Sequence, residues 1–312
     1  MKEITVGDLR QIRTYPLKTR KSIATRSDFG CPSRKEDSLN VFLERLPNFY
    51  MARSLKRVAE NIRNCNRSKR ALHWSIGSHV IKNGLSPYLI DLMKEGFVSA
   101  ISFNGSAPIH DFEISFVGAT SEDVDAALGE GKFGLAKETA EFINMATVKG
   151  VAEGWGLGRS VGERIRRECP NPNDSLLATA AELGIPATVH LAVGTDIIHI
   201  HPSFDPQAAG LGSYRDFLTF ASSIANLEDG IYLNIGSAVI LPEIFLKALS
   251  LVRNLGHVVD KFCAVNVDFI RHYRPRRNVL DRPTSKGGEA IEIIGPHELI
   301  LPLLHAMVIC GD

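Results

Sequence analysis

The chain has 312 residues, of which 44% are hydrophobic and 23% are charged. This balance is typical of a globular protein and excludes extensive disorder. Lysine and arginine total 36 against 35 aspartate and glutamate residues, which gives a net charge of +1. No overall electric field would draw the protein to nucleic acid or to a membrane surface, so we expect neither as a partner.

The cysteines and the first residues indicate a compartment. Five cysteines are scattered along the chain without a CxxC pair or a metal-ligand spacing, as expected for reduced thiols. The first ten residues lack the apolar core of a signal peptide, and no stretch approaches the ~20 apolar residues of a membrane span. The sequence therefore predicts a cytoplasmic protein.

Residues 1–37 differ in composition from the rest of the chain. Lysine and arginine outnumber acidic residues there, and Pro16 and Pro32 interrupt any helix. We interpret this segment as a basic N-terminal arm that packs along the body or on a neighbouring subunit. A nucleic-acid-binding arm is less favoured, because no series of aromatic side chains accompanies the charge. Residues 38–312 are predicted to form a single α/β domain.

Within that domain, apolar runs of strand length alternate with segments of helical periodicity. An apolar helical stripe begins near Ser38, and later helices are predicted over 86–93, 120–129, 136–152, 160–167, 175–183, 214–224, 242–252 and 299–309. Strands are predicted over 70–76, 98–103, 187–193, 230–235, 262–267 and 290–294. This order predicts a doubly wound, mostly parallel sheet with helices on both faces and a helical insertion.

In a doubly wound sheet, ligands bind beyond the carboxyl ends of the strands. That rule selects the loops 76–86, 103–113, 193–204, 235–243 and 267–288. A glycine-rich run from Gly154 to Gly162 resembles a dinucleotide fingerprint, but a helix rather than a strand precedes it. We interpret this run as a connection between helices, with phosphate binding as the less favoured alternative.

The first two strand ends carry small and polar residues. Trp74 to Gly84 reads as a strand, a small-residue turn and a helix, where backbone N–H groups can hold phosphate oxygens; a tight turn without a ligand is the alternative. The next strand leads into Asn104, Gly105 and Ser106 and then into a predicted loop. That loop contains the polar cluster His110, Asp111 and Glu113, which a solvated loop could also carry.

Asp196, His199 and His201 follow the strand that contains His190. If the strand continued, its alternation would place His199 and His201 on one face, with Asp196 on the other. A metal site is disfavoured, because zinc needs three or four converging ligands and a second shell, and nothing in the sequence supplies them. We expect these side chains to line an organic-ligand pocket, with buried, hydrogen-bonded histidines as the alternative.

Taken together, these strand ends resemble the deoxyhypusine synthase family over about residues 40–310. The resemblance rests on the 75–84 turn, the 110–123 segment, the run from Ile185 to His201, the segment 234–239 and the last helix. It implies a Rossmann-like NAD-binding fold and a homotetramer. It also implies that NAD takes hydride from the carbon beside an amine of spermidine. A lysine would then carry the aminobutyl group as an imine to an acceptor amine, as in the related homospermidine synthases.

The resemblance also assigns residues. The implied NAD contacts are Gly77, Ser78, His79, Asn104, Gly105, Ser106, Gly236 and Ser237. The implied catalytic residues are Asp196 and His201, which match an acid and a histidine at the same spacing, together with Glu243 and the covalent lysine, Lys286. His79 stands where the family has asparagine, and Leu241 to Glu243 replace a lysine and paired histidines.

One departure from the family changes the sign of a charge. Four arginines, Arg271, Arg274, Arg276 and Arg277, occupy the segment where the family has an acidic substrate loop. They would repel a polyamine and suit a carboxylate or phosphate. The alternatives are therefore the same fold acting on an anionic or zwitterionic substrate through Arg274, Arg276 or Arg277, and an NAD-binding protein without catalysis. These arginines could also be solvated or paired in salt bridges.

Overall fold

A computed structural model describes Gly7 and residues 9–311. Its strands are β1 (Leu72–Ile76), β2 (Ala100–Asn104), β3 (Ala187–His190), β4 (Ile231–Ile235), β5 (Cys263–Asp268) and β6 (Glu289–Ile294). They form one six-stranded sheet in the order β3-β2-β1-β4-β5-β6, and every pairing is parallel. The strand order reverses between β1 and β4. The predicted doubly wound fold is confirmed.

The helices lie before, between and after the strands. They are α1 (Leu39–Arg45), α2 (Tyr50–Arg67), α3 (Ser78–Lys82), α4 (Ser86–Lys94), α5 (Ala107–Val117), α6 (Val124–Leu128), α7 (Lys137–Ala152), α8 (Leu157–Glu168), α9 (Leu176–Leu183), α10 (Pro206–Ile224), α11 (Ile240–Asn254), α12 (Tyr273–Pro275) and α13 (His297–Ile309). A π-helical turn, Arg276–Asp281, follows α12 directly. No helix in the described part of the chain is long and apolar enough to cross a membrane.

The sheet has a core on each face, because alternate side chains of a strand point in opposite directions. On the first face, Leu72, Trp74 and Ile76 of β1 pack with α2, α4 and α13. The second face is covered by α10 and α11, where Phe245 stacks on Tyr232 of β4 with ring centroids 3.8 Å apart. Burial on both faces explains why the strands read as continuous apolar runs in the sequence.

Between residues 9 and 38, the structure describes short 3-10 turns and no longer helix or strand; the turns are Leu9–Gln11, Leu17–Thr19 and Arg26–Asp28. Two backbone bonds attach the end of this segment to the last residue of α1 and to the turn between α1 and α2. The Cys31 N–H donates to the Arg45 carbonyl at 3.0 Å, and the Asn48 N–H donates to the Asp28 carbonyl at 2.9 Å. The division into an arm of residues 1–37 and a single domain of residues 38–312 stays a prediction.

The insertion between β2 and β3 consists of α5 to α9, which pack closely through glycines. A Cβ atom on Gly158 of α8 would lie 2.1 Å from the Ala187 carbonyl oxygen at the start of β3. A Cβ atom on Gly162, one turn later, would lie 2.3 Å from the Leu177 carbonyl oxygen of α9. The glycine-rich run 154–162 therefore begins a helix and allows it to touch backbone.

A buried carboxyl group ties α8 to the sheet. Asp216 of α10 accepts hydrogen bonds from the Gly158 N–H at 2.9 Å and from the Val189 N–H at 2.7 Å. Its side chain is buried, and burial raises its pKa from 3.8 to about 7. Desolvation thus opposes ionisation more strongly than the N–H donors support it.

We predict that Gly158→Ala destabilises the protein by about 1–3 kcal/mol, because the new methyl group must push α8 away from the Ala187 carbonyl. The matched control is Gly210→Ala in α10, where no atom lies within 4 Å of the added Cβ. That substitution should stabilise by about 0.4–1 kcal/mol through reduced chain entropy. Urea denaturation measures both changes, and equal effects would contradict the close packing of α8.

A second prediction concerns pH. The pKa of Asp216 is raised in the folded state, so its contribution to stability is full below about pH 4 and is lost as the pH rises through about 7. In Asp216→Asn this titration is absent. The unfolding free energy of the wild type minus that of the variant should therefore fall between pH 4 and 8 in urea titrations. A difference that stays constant over this range would show that Asp216 is ionised throughout.

Candidate functional site

The strand order reverses between β1 and β4, and a close backbone contact lies just beyond their ends. The Gly77 N–H donates to the Ile235 carbonyl at 2.8 Å, and a Cβ atom on Gly77 would lie 1.9 Å from the Gly236 carbonyl oxygen. Gly236 has a φ of +66°, a conformation that favours glycine. These two glycines let the chain turn away from both strands at the carboxyl edge of the sheet. In doubly wound sheets ligands bind in the crevice at this edge, and we use that name for the region here.

A short hydrogen-bond network links the ends of β1 and β2. The Asn104 Oδ1 atom accepts from the Ser78 N–H at 3.0 Å, and the Asn104 Nδ2 atom donates to the Ser106 Oγ at 2.9 Å. The Ser106 hydroxyl in turn donates to the Ser78 Oγ at 2.9 Å. Because the bonds run in this direction, the Ser78 hydroxyl proton is left to donate to a ligand.

Asp196 comes to the same edge from the chain after β3. Its Oδ2 atom would lie 2.2 Å from a Cβ atom on Gly105, so only glycine at position 105 allows the approach. The Asp196 side chain is half-buried, and burial raises its pKa. Asp196 therefore places a partly desolvated carboxyl group beside the Asn104 and Ser78 network.

The histidines near Asp196 shape this turn. The expected strand alternation at His199 and His201 is wrong, since β3 ends at His190 and Ile197–Ile200 is a 3-10 turn. The His199 Nδ1 atom accepts from the Asp196 N–H at 3.2 Å. The His201 Nδ1 atom lies 2.8 Å from the Ser203 Oγ. Within residues 9–311, no cluster of three His, Cys, Asp or Glu side chains is arranged to hold a metal ion.

The residues before α13 form part of this edge, although they are not among the sites predicted from the sequence. His297 lies beside Gly236, where a Cβ atom would be 3.2 Å from the His297 Cε1. The His297 ring centroid is 6.0 Å from that of His79 and 6.2 Å from that of Phe269. Burial lowers the pKa of His297. The carboxyl-end rule would have found this segment, because residues 295–297 directly follow the predicted last strand.

The polar cluster after β2 has a structural role. Residues 107–117 form helix α5, so the predicted loop at His110, Asp111 and Glu113 is wrong. Asp111 is buried and accepts the Leu176 N–H at 2.8 Å and the Leu177 N–H at 3.1 Å, at the start of α9. Asp111 thus satisfies a helix N-terminus in the interior, away from the crevice.

The arginine-rich segment is largely neutralised by carboxylates of the same chain. Arg271 Nε lies 2.8 Å from Glu292 Oε2, and Arg274 Nε lies 3.4 Å from Glu243 Oε1. Asp281 pairs with the next two arginines, at 3.0 Å for Arg276 and 2.9 Å for Arg277. Each of the four arginines therefore has a carboxylate partner within the chain, and three carboxylates serve all four. Glu243 also accepts from Asn278 Nδ2 at 2.8 Å and pairs with Lys247 on its own helix.

Lys286 lies at the other edge of the sheet. It precedes β6, and Gly288, two residues further on, approaches the Phe262 carbonyl just before β5. The Lys286 Nζ atom is 3.4 Å from Asp260 Oδ1, and 60% of its side chain is exposed. The six-residue length of β6 separates Lys286 from the carboxyl edge by roughly 20 Å. The structure therefore does not bring Lys286 together with Asp196, His201 or the implied NAD contacts.

The sheet order and the glycine crossing at its switch point define a doubly wound, Rossmann-like fold. No protein-family profile matches the chain, and no curated protein matches it by sequence. Among solved structures, it is similar to a candidate deoxyhypusine synthase from Entamoeba histolytica, with a TM-score of 0.52 and 12% identity over 90% of this chain and 96% of that chain. The resemblance to deoxyhypusine synthase is thus confirmed at the level of the fold.

Two other solved structures share the fold. A conserved candidate LOR/SDH protein from Methanococcus maripaludis S2 has a TM-score of 0.53 and 16% identity, covering 83% of this chain and 70% of that chain. AgrE, in a ternary complex with ornithine and NAD+, has a TM-score of 0.53 and 18% identity over 81% of this chain. This chain spans about a third of AgrE and of ArgZ, a cyanobacterial arginine dihydrolase, covering 32% and 34% of them.

We predict that Lys286→Ala leaves the site intact, because the side chain is exposed and lies at the opposite edge of the sheet. The unfolding free energy should change by less than about 0.5 kcal/mol. Any NAD affinity and any turnover with an amine substrate should match those of the wild type. Loss of turnover with NAD affinity retained would instead make Lys286 the covalent carrier and contradict its position at the amino edge.

Proposed function

We propose that the chain binds NAD in the crevice at the β1–β4 switch point and is an NAD-dependent enzyme. The observation that carries this proposal is the convergence of Gly77, Gly236 and the Asn104–Ser106–Ser78 network at one sheet edge. The glycines let the turns after β1 and β4 pack against each other at this edge. The Ser78 hydroxyl proton suits a phosphate oxygen. These features fit a dinucleotide, which would supply hydride transfer when bound.

The substrate we propose is a small amine. Asp196 stands beside the same network, and a half-buried carboxylate favours a neighbouring ammonium group. The similar fold of AgrE, which was solved with ornithine and NAD+, supports a cationic substrate. Transfer of an aminobutyl group from spermidine to an acceptor amine belongs to this proposal, but without Lys286 as the carrier. His201, in the turn after β3, and Glu243, at the start of α11, stay candidates for catalytic residues.

The oligomer stays a prediction. The resemblance implies a homotetramer, and the solved structure of similar fold from Entamoeba histolytica covers almost the same length. Light scattering on the purified chain would measure the mass in solution and decide between a monomer and an assembly.

We predict that wild-type protein binds NAD in calorimetry and that Asn104→Ala weakens binding by about tenfold. Without the Asn104 side chain, the Ser78 N–H loses its acceptor and the Ser106 hydroxyl loses its donor, so the Ser78 hydroxyl is no longer oriented toward a ligand. The complex with NAD should therefore lose about one hydrogen bond. Asn254→Ala, an exposed change at the end of α11, is the matched control and should bind as the wild type does. The absence of binding heat with both NAD and NADH would refute the cofactor assignment.

A second experiment on the same protein distinguishes an NAD-dependent enzyme from a protein that binds NAD without catalysis. NAD is mixed with spermidine or with ornithine, and the near-ultraviolet absorbance of NADH is recorded. Formation of NADH that is slowed in Asp196→Asn supports amine oxidation at this site. NAD binding with no NADH from either amine supports the non-catalytic alternative.

A further inference from the structure

Phe269 is a large apolar side chain that the fold leaves open at the carboxyl edge of the sheet. It directly follows β5, which is buried along its whole length from Cys263 to Asp268. In contrast, 53% of the surface of Phe269 is exposed. Exposure therefore begins at the edge where doubly wound sheets bind their ligands.

Within the described part of the chain, three histidine rings lie near Phe269. The ring centroids are 6.1 Å away for His79, 6.2 Å for His297 and 6.5 Å for His272. These separations lie within the ~4.5–7 Å over which aromatic pairs attract each other. The three histidines come from the turn after β1, the start of α13 and the chain after β5. Their contacts restrict the position of the Phe269 ring.

His297 supports this group of rings from the interior. It is 1% exposed, and its plane makes an angle of 85° with that of Phe269. His79, whose side chain is exposed, lies 6.0 Å from His297 on another side. A Cβ atom on Gly236 would lie 3.2 Å from the His297 Cε1 atom. One buried ring thus connects two exposed rings to the glycine turn at the switch point.

The two neighbouring residues Ser78 and His79 face different sides of the switch point. The Ser78 Oγ atom bonds Ser106, which follows β2, whereas the His79 ring lies beside Phe269, which follows β5. In the sheet, β2 is on one side of β1, and β5 lies two strands away on the other side. The hydroxyl groups that suit phosphate and the exposed aromatic rings therefore occupy opposite sides of the β1 turn.

This arrangement matches the chemical layout of a dinucleotide, which carries a planar ring on each side of its pyrophosphate. The distance from β1 to β5 is two strand spacings, roughly 10 Å. A ring that is joined through a ribose to a phosphate held at Ser78 can reach Phe269 across this distance. Stacking there would cover apolar surface of Phe269 that now faces water.

We propose that Phe269, with His79 beside it, is the platform on which one planar ring of NAD stacks. The proposal rests on the NAD binding proposed above and adds a residue that recognises a ring rather than a phosphate. Both rings of NAD suit the face of a phenylalanine, adenine by stacking and the oxidised, positively charged nicotinamide also by a cation–π interaction. The shared chemistry is therefore a planar heteroaromatic ring.

Phe269→Leu tests the platform, because leucine keeps an apolar side chain and removes the ring. We expect NAD to bind about fivefold to tenfold more weakly in calorimetry, the worth of one aromatic stacking contact. Phe269→Tyr keeps the ring and should bind nearly as the wild type does. The matched control is Phe116→Leu at the far end of α5, where the phenylalanine is 38% exposed and stacks on Phe112. This control should leave NAD binding unchanged.

The two halves of NAD show which ring stacks. Adenosine monophosphate carries the adenine, and nicotinamide mononucleotide carries the nicotinamide. We expect one of these halves to bind more weakly to Phe269→Leu than to the wild type. In proton NMR spectra, the aromatic signals of that half should shift upfield with the wild type, because its protons lie over the Phe269 ring. The shift should be lost with Phe269→Leu.

The outcomes separate this inference from the proposed function. NAD affinity that Phe269→Leu leaves unchanged, with no upfield shift on either half, would overturn the platform while the cofactor assignment stands. A loss of affinity that Phe269→Tyr shares would also contradict stacking, since the ring is then present. No binding of NAD or NADH by the wild type would refute both proposals.

Discussion

Burial of a parallel sheet on both faces is the constraint on which the structure depends. Parallel strands require crossover connections, so every strand enters at one edge and leaves at the other. All the turns that follow strands therefore gather at the carboxyl edge, where the chain reverses its direction of winding between β1 and β4. At that reversal Gly77 rests on the Gly236 carbonyl. The crevice, the Asn104 network and the approach of Asp196 to Gly105 are all consequences of this arrangement.

Much of the fold can be predicted from the sequence, because a strand buried on both faces is a dense apolar run. The segment 230–235 is predicted as a strand, and β4 is Ile231–Ile235. Local polarity is a poorer guide. His110, Asp111 and Glu113 suggest a loop, but they lie in a helix. The buried Asp111 is accommodated there because it accepts hydrogen bonds from the N–H groups at the start of α9. A row of polar residues paired in register, one from each strand, crosses the sheet: Thr188, Ser102, Ser75, Asn234, Asn266 and Glu292. This polar row is not visible in the sequence, since each strand contributes a single member and the register is a tertiary property.

The candidate site is only partly predictable. The small residues after β1 and β2 lie at the carboxyl edge of the sheet, where the carboxyl-end rule places them, because that rule uses topology alone. The likeness of a short motif to the family selects Lys286 as the covalent lysine. Lys286 precedes the last strand, however, and the topology therefore places it at the amino edge of the sheet. In the sequence, the arginine segment shows its positive charge but not the carboxylates that pair with it. Asp281 lies in the same turn as two of the arginines, but Glu243 and Glu292 come from other parts of the chain, and only the folded structure brings them to Arg274 and Arg271.

The polar row also fixes how the strands align with one another. Because side chains alternate between faces, sliding any one strand by a single position would turn its polar residue into the apolar core and bring an isoleucine or valine opposite an amide. Asn234 and Asn266, joined by a 2.7 Å bond, would lose each other in such a slip. A misaligned sheet is therefore destabilised on both faces at once. The buried polar residues thus select one register among strands that are otherwise similarly apolar.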